Sequence, residues 1–180
     1  MYNDDRRRIQ RVSRHFRLLF TALIFCIPAL DFLYWAFFNH LPNGFIELPA
    51  AVATNQTLPY SSLALAFCVS LIPVSVAMFG MVTLTKLFKL YENAIVFAAE
   101  NVKYVRRLGY ILIYWVIASA IFTTLISIVI SFANPPGQRM MVAEFQISDL
   151  STLLIGAIVI LISWIMEEGR KLEDETAHTI

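Results

Sequence analysis

Few side chains in this 180-residue chain are equipped for chemistry, and their placement limits what they can do. Asp31 is a carboxylate inside a long apolar run, so it requires a cation, a proton, a wet cavity or a hydrogen-bond donor. A neighbouring Ser, Thr, Tyr or Trp near the outer interface would serve as donor, and Tyr34 and Trp35 mark the start of an interfacial aromatic belt. Ser119, Thr123, Ser127 and Ser131 recur at every fourth position and fall on one side of a helix. Such a stripe reads as a helix-packing seam, with interhelical hydrogen bonds worth about 0.6 to 2 kcal/mol each. It is a poor proton or ion route, because no carboxylate or histidine shares that apolar span. His15, His40 and His178 lie in three separate regions, so no histidine pair or Cys/His set assembles a metal or haem site. Cys26 and Cys68 sit inside apolar runs and are expected to be buried free thiols. There is no phosphate-cradling glycine loop, nucleophile elbow or HExxH. No catalytic residue, metal or cofactor is expected, and no small-molecule substrate is assigned.

The charged residues are more patterned. Lys86, Lys89, Lys103, Arg106 and Arg107 bring five of the fourteen cations into the stretch from Lys86 to Tyr110. Glu100 and Asn101 lie among them. Around a short break at residues 93–96, apolar residues recur at helical spacing, Leu84, Leu87, Phe88 and Tyr91 before it and Phe97, Val102, Val105 and Leu108 after it. This predicts an amphipathic element on the membrane surface, its apolar side in the headgroup region and its cations towards phosphate and water. The same residues form a candidate docking surface. Glu92 or Glu100, paired with Lys89, Lys103 or the arginines, would instead clamp the flanking spans together.

The elements that position these residues follow from composition. An apolar fraction of 58%, a charged fraction of 15% and a mean hydropathy of +0.67 place the chain in a bilayer as a single all-α domain. Four runs are long enough to cross a hydrocarbon layer of about 30 Å. They are span one at 18–38, span two at 62–84, span three at 110–132 and span four at 150–166. The expected architecture is a four-transmembrane-helix bundle with a cytoplasmic amphipathic connector, 86–109, between helices 2 and 3. A basic lead-in (1–17), two outer loops (39–60 and 133–149) and a charged tail (167–180) complete it. Pro28 in span one and Pro73 in span two permit kinks. Ser70, Ser75, Ala77 and Gly80 in span two, and Gly156 and Ser163 in span four, mark close-packing faces. Asp149 or Ser148 is expected to cap span four. The first outer loop is apolar enough to pack back on the bundle, and Asn55-Gln56-Thr57 matches a glycosylation sequon.

Thirteen of the fourteen Lys and Arg residues fall in the lead-in, the connector and the tail, with Arg139 alone on the other side. The excess predicts that both termini are cytoplasmic, with the first span a retained signal anchor. Six arginines directly before a span are explained by topology, so no direct nucleic-acid binding is expected.

The stretch LFKLYENAIVFAAENVKYVRRLGYILI, Leu87 to Ile113, resembles the DUF2975 family of prokaryotic membrane proteins, and IMEEGRKLEDETAHTI resembles its C-terminal signature. The chain departs from that pattern at Ala94, where a turn glycine is expected, and at Ala98, where a Ser or Thr cap is usual. Losing both should leave the break less sharply defined. The resemblance implies residence in the inner (cytoplasmic) membrane of a prokaryote and carries no enzymatic activity. It associates the family with neighbouring small helix-turn-helix regulators. The expected function is non-enzymatic: docking or sequestering a protein partner at the cytoplasmic face, with the lipid bilayer and a homo-oligomer as the other associations. The alternatives are a small oligomeric transporter or channel using Asp31, and a structural accessory subunit of a larger membrane complex.

Overall fold

The computed structural model describes residues 2–41, 57–96, 98–132, 134, 139, 141–143 and 145–177, with side chains between 7 and 172. Its elements are α1 (Tyr2–Ala36), a short 3₁₀ turn (Phe38–His40), α2 (Tyr60–Glu92), α3 (Ala99–Ser131) and α4 (Ile147–Ala177). All four α-helices are long and apolar enough to cross a membrane. In hydrocarbon no water is available to backbone N–H and C=O groups, and a helix satisfies them within itself, so long apolar runs can adopt little else. The chain is a multi-pass membrane protein.

The helices are longer than the apolar runs that predict them. At about 1.5 Å per residue, the 33-residue α2 and α3 extend about 50 Å, against a hydrocarbon layer of about 30 Å. The basic lead-in is the first half of α1, and the tail through Ala177 continues α4. The 86–109 stretch is not a separate surface element. Lys86 and Lys89 continue α2, and Lys103, Arg106 and Arg107 belong to the opening turns of α3. Helical propagation adds one hydrogen bond per residue, so a helix already nucleated in lipid extends into sequence that would not start one alone. Pro28 and Pro73 lie inside unbroken helices.

Packing runs between chain neighbours: α1 on α2, α2 on α3, and α3 on α4. The chain goes up and down, giving the array two ends. The turn end holds the N-terminal half of α1, the α2–α3 turn and the C-terminal half of α4. The loop end holds the two longer connections.

At the loop end, Trp35, Phe38, Leu58, Leu63, Ala66, Ile126 and Ile130 form a core shared by α1, α2 and α3. Asn39 closes the base of the first connection, its Nδ2 donating to the Leu58 carbonyl at 2.9 Å and its Oδ1 accepting from the Leu58 amide at 3.0 Å. The apolar residues of that connection and most of its sequon lie outside the described residues. At the turn end, Phe88 packs against Phe16 and Phe20, with ring centroids 5.2 and 5.4 Å away.

Elsewhere the large apolar side chains point outwards, Phe25 being 72% and Ile165 63% exposed. In a bilayer such faces meet lipid tails. Cys26 and Cys68 are also exposed, contrary to the expectation of burial. An apolar neighbourhood in a membrane helix signals lipid as readily as protein interior.

Candidate docking surface at the turn end

The α2–α3 turn is sharply built without the residues usual for it. Ala94 takes the left-handed conformation, φ 58°, that glycine normally supplies. The Ile95 amide donates to Leu90 O and the Ala94 amide to Tyr91 O, each at 3.0 Å, closing α2 in a Schellman motif. Ala98 offers no side-chain cap to α3. Asn101 takes over the tethering. It is fully buried, and its Nδ2 donates to the carbonyls of Ile95 at 2.8 Å and Val96 at 2.9 Å. The break is therefore well defined despite Ala94 and Ala98, because hydrogen bonds from elsewhere replace the missing glycine and cap. Burial beside this turn raises the Tyr91 hydroxyl above its ordinary range, against a hydrogen bond with Asn101 that lowers it.

Two ion pairs join the helices here. Arg17 of α1 meets Glu92 of α2, Nε to Oε2, at 2.9 Å. Arg106 of α3 pairs with Glu167 of α4 through Nη2, while its Nε donates to Ser163 Oγ at 3.4 Å. Ser163 in turn donates to Ile160 O at 2.6 Å. The Arg106 guanidinium, through hydrogen bonding and charge, holds the Glu167 carboxyl below its usual range. These pairs depend on the helical extensions being side by side. Glu92 joins α1 to α2 through Arg17, rather than clamping the two spans that flank its own stretch.

One turn from Arg106, α3 and α4 approach closely. A methyl group at Gly109 would lie 2.5 Å from Ile160 Cγ1 and 2.9 Å from Gly156 O. A methyl at Gly156 would lie 3.0 Å from Gly109 O. Gly156 and Ser163 share the face turned to α3, as their seven-residue spacing implies.

The docking candidates divide accordingly. Lys86 and Lys89 on α2 and Glu100, Lys103 and Arg107 on α3 are exposed. The last three, spaced at i, i+3 and i+7, form one stripe. Arg106 and Asn101 are committed to internal structure.

Asp31 accepts a hydrogen bond from Ser70 Oγ of α2 at 2.8 Å, with the Trp35 side chain as a second partner. Of the roles open to this carboxylate, a bond to a neighbouring hydroxyl is the one the geometry contains.

The hydroxyl stripe on α3 behaves differently from an interhelical seam. Ser127 and Ser131 are buried and donate to the carbonyls of Thr124 and Ile128 in their own helix, at 2.8 and 3.1 Å. Ser127 Oγ also accepts the Val142 amide at 3.0 Å, holding the second connection against the helix. Ser119 and Thr123 are half-buried. A hydroxyl one turn from a helical carbonyl finds that acceptor at no cost in long-range order. The start of α4 also differs from expectation. Asp149 is the third helical residue, and its Oδ2 accepts the Gln146 amide at 2.9 Å. This is the carboxylate half of a capping box.

Sequence reasoning missed the helix-joining roles of Arg17, Gly109 and Glu167. The signals were present: an arginine and a glutamate at opposite ends of adjacent apolar runs, and a glycine in α3 with another inside the apolar run of α4.

No curated protein and no solved structure matches the chain. The family described as "Protein of unknown function (DUF2975)" matches residues 27–180. That match takes in three complete helices, the C-terminal end of the first, the α2–α3 turn and both sides of the α3–α4 crossing, and on that extent the chain belongs to the DUF2975 family.

Proposed function

We propose that this is a non-enzymatic interaction protein of the prokaryotic inner membrane, with both termini cytoplasmic, which docks a protein partner at its turn end. The observation that carries the reading is the exposed, rigidly mounted charge there. Lys86, Lys89, Glu100, Lys103 and Arg107 project from helices held by two ion pairs and a turn tethered by Asn101. Thirteen of the fourteen cations belong to the three segments gathered at that end, which supports a cytoplasmic orientation. The spans themselves offer little for solute chemistry, since Asp31 already has Ser70 as a donor and the buried α3 hydroxyls of Ser127 and Ser131 bond to their own helix. The class of partner to try first is the small helix-turn-helix regulator that the family resemblance brings to mind.

The test is copurification from a mild detergent with a helix-turn-helix regulator encoded beside the gene, using wild type and the Lys103→Glu/Arg107→Glu variant. Recovery with wild type, reduced at least about tenfold in the variant, is the expected result, since removing and reversing surface charges at an interface costs about 1 to 2 kcal/mol. Arg139→Glu, on the other side of the membrane, should leave recovery unchanged. Equal recovery with all three chains, or none with any, would overturn the reading, as would tag accessibility placing the two termini on opposite faces.

A further inference from the structure

The two outermost helices carry opposite charge at the same end of the molecule. Residues 2–17 of α1 hold six arginines against two aspartates, and residues 167–177 of α4 hold five carboxylates against Arg170 and Lys171. Both extensions belong to the turn end, because Arg17 pairs with Glu92 and Arg106 with Glu167. Yet no packing interface on the scale of the other three joins α1 to α4 among the described residues. Each outer helix packs chiefly on one neighbour.

The α1 extension is unspent in two respects. Arg7, Arg8, Arg11 and Arg14 are exposed, and among the described residues none is within ion-pair distance of a carboxylate. Ile9 and Val12, 45% and 46% accessible, form an exposed apolar stripe with the open side of Phe16, whose ring also packs on Phe88, and the stripe continues outward beyond the start of the apolar run at Leu18. Such a stripe lies where water, rather than acyl chain, would otherwise meet it. On α4 the exposed positions Ile158, Leu161, Ile165, Glu168 and Leu172 follow one helical face into the acidic extension, which continues with Glu173, Asp174 and Glu175.

We infer that the occupant of the α1 extension is the α4 extension of a second copy of this chain. The joint is head to tail, basic arm against acidic arm. Because the two surfaces differ, the contact is heterologous: each copy keeps one free arm and the joined pair one of each kind, so association continues until it closes into a ring. An isologous pairing of α1 with α1 would bring arginines together, and one of α4 with α4 would bring carboxylates together, so charge selects the mixed pairing.

The experiment uses the full chain in a mild detergent, with mass measured by light scattering across a range of concentration. Wild type should associate and weaken as salt rises from 50 to 500 mM. The tail reversal Glu173→Lys/Glu175→Lys, which adds cations on the side already rich in them, should weaken association about tenfold or more, as should the arm reversal Arg11→Glu/Arg14→Glu. The chain bearing all four changes should recover wild-type association, and so should an equimolar mixture of the two reversed chains. A wild type that stays monomeric at the highest concentration and lowest salt overturns the inference. So does a tail-reversed chain that associates as wild type does, or a four-fold variant that fails to recover. The Lys103→Glu/Arg107→Glu variant should associate normally, which separates this joint from the partner-docking surface.

Discussion

Arg106 of α3 and Glu167 of α4 form an ion pair one turn from the place where Gly109 and Gly156 let the two backbones touch. Close approach and charge pairing reinforce each other. The glycines bring the axes near enough for the side chains to meet, and the pair fixes the rotation of α4 about its axis. The pairing of Arg17 with Glu92 does the same between α1 and α2.

The Arg106–Glu167 pair makes the stability of the α3–α4 contact depend on pH. The folded carboxyl titrates below its ordinary value of 4.5. Its contribution is therefore complete above that value and is lost as pH falls through the lowered folded value. In detergent, Glu167→Gln should melt below wild type at pH 7, and the two melting temperatures should converge in acid. A constant gap across pH would refute this.

Replacing Gly109 or Gly156 by alanine forces a methyl into atoms that have little room to retreat, since the nearest include backbone oxygen. Each substitution should destabilise the fold by about 1 to 3 kcal/mol. Gly169, with open space around it, should accept alanine with no measurable loss. Thermal unfolding of the three variants side by side checks the ordering.

The α2–α3 turn predicts two changes of opposite sign. Ala94→Gly removes a left-handed alanine and should stabilise by up to about 1 kcal/mol. Asn101→Ala leaves the Ile95 and Val96 carbonyls without their buried donor and should destabilise by about 1 to 3 kcal/mol. Hydrogen exchange at residues 90–101 should slow in the first and quicken in the second.

Asp31 and Ser70 link α1 to α2 within the membrane. Asp31→Asn retains an acceptor for the Ser70 hydroxyl and should unfold close to wild type. Asp31→Leu removes it, and the loss should be about 0.6 to 1.7 kcal/mol, because Ser70 keeps the Phe67 carbonyl as an alternative acceptor. A much larger loss on Asp31→Asn would mean that the charge, rather than the hydrogen bond, is what α2 recognises.

Much of this was legible from residue types. Four apolar runs fixed the number of helices, since a backbone in lipid has no other local solution. The cations of the lead-in, connector and tail belong together because an even number of crossings returns the chain to its starting side. Helix ends were harder to read. The charged residues after Thr85 and before Tyr110 suggested a separate surface element, but nothing in that stretch stops a helix until Asn93, and it continues. The alanines at 94 and 98 suggested a blurred turn, and Asn101, five and six residues from the carbonyls it holds, supplied what they lack.

The sequence by itself determined the medium, the helices and the sorting of charge, because these follow from local hydropathy and from hydrogen bonding within a single segment. Only the tertiary structure decided that Arg17 meets Glu92, that Arg106 meets Glu167, that Gly109 lies on Gly156, and that Cys26 and Cys68 face outwards. Those relationships depend on how each helix is rotated and which neighbour it meets. In a chain whose helices are apolar on nearly every side, hydropathy does not say which side faces protein and which faces lipid.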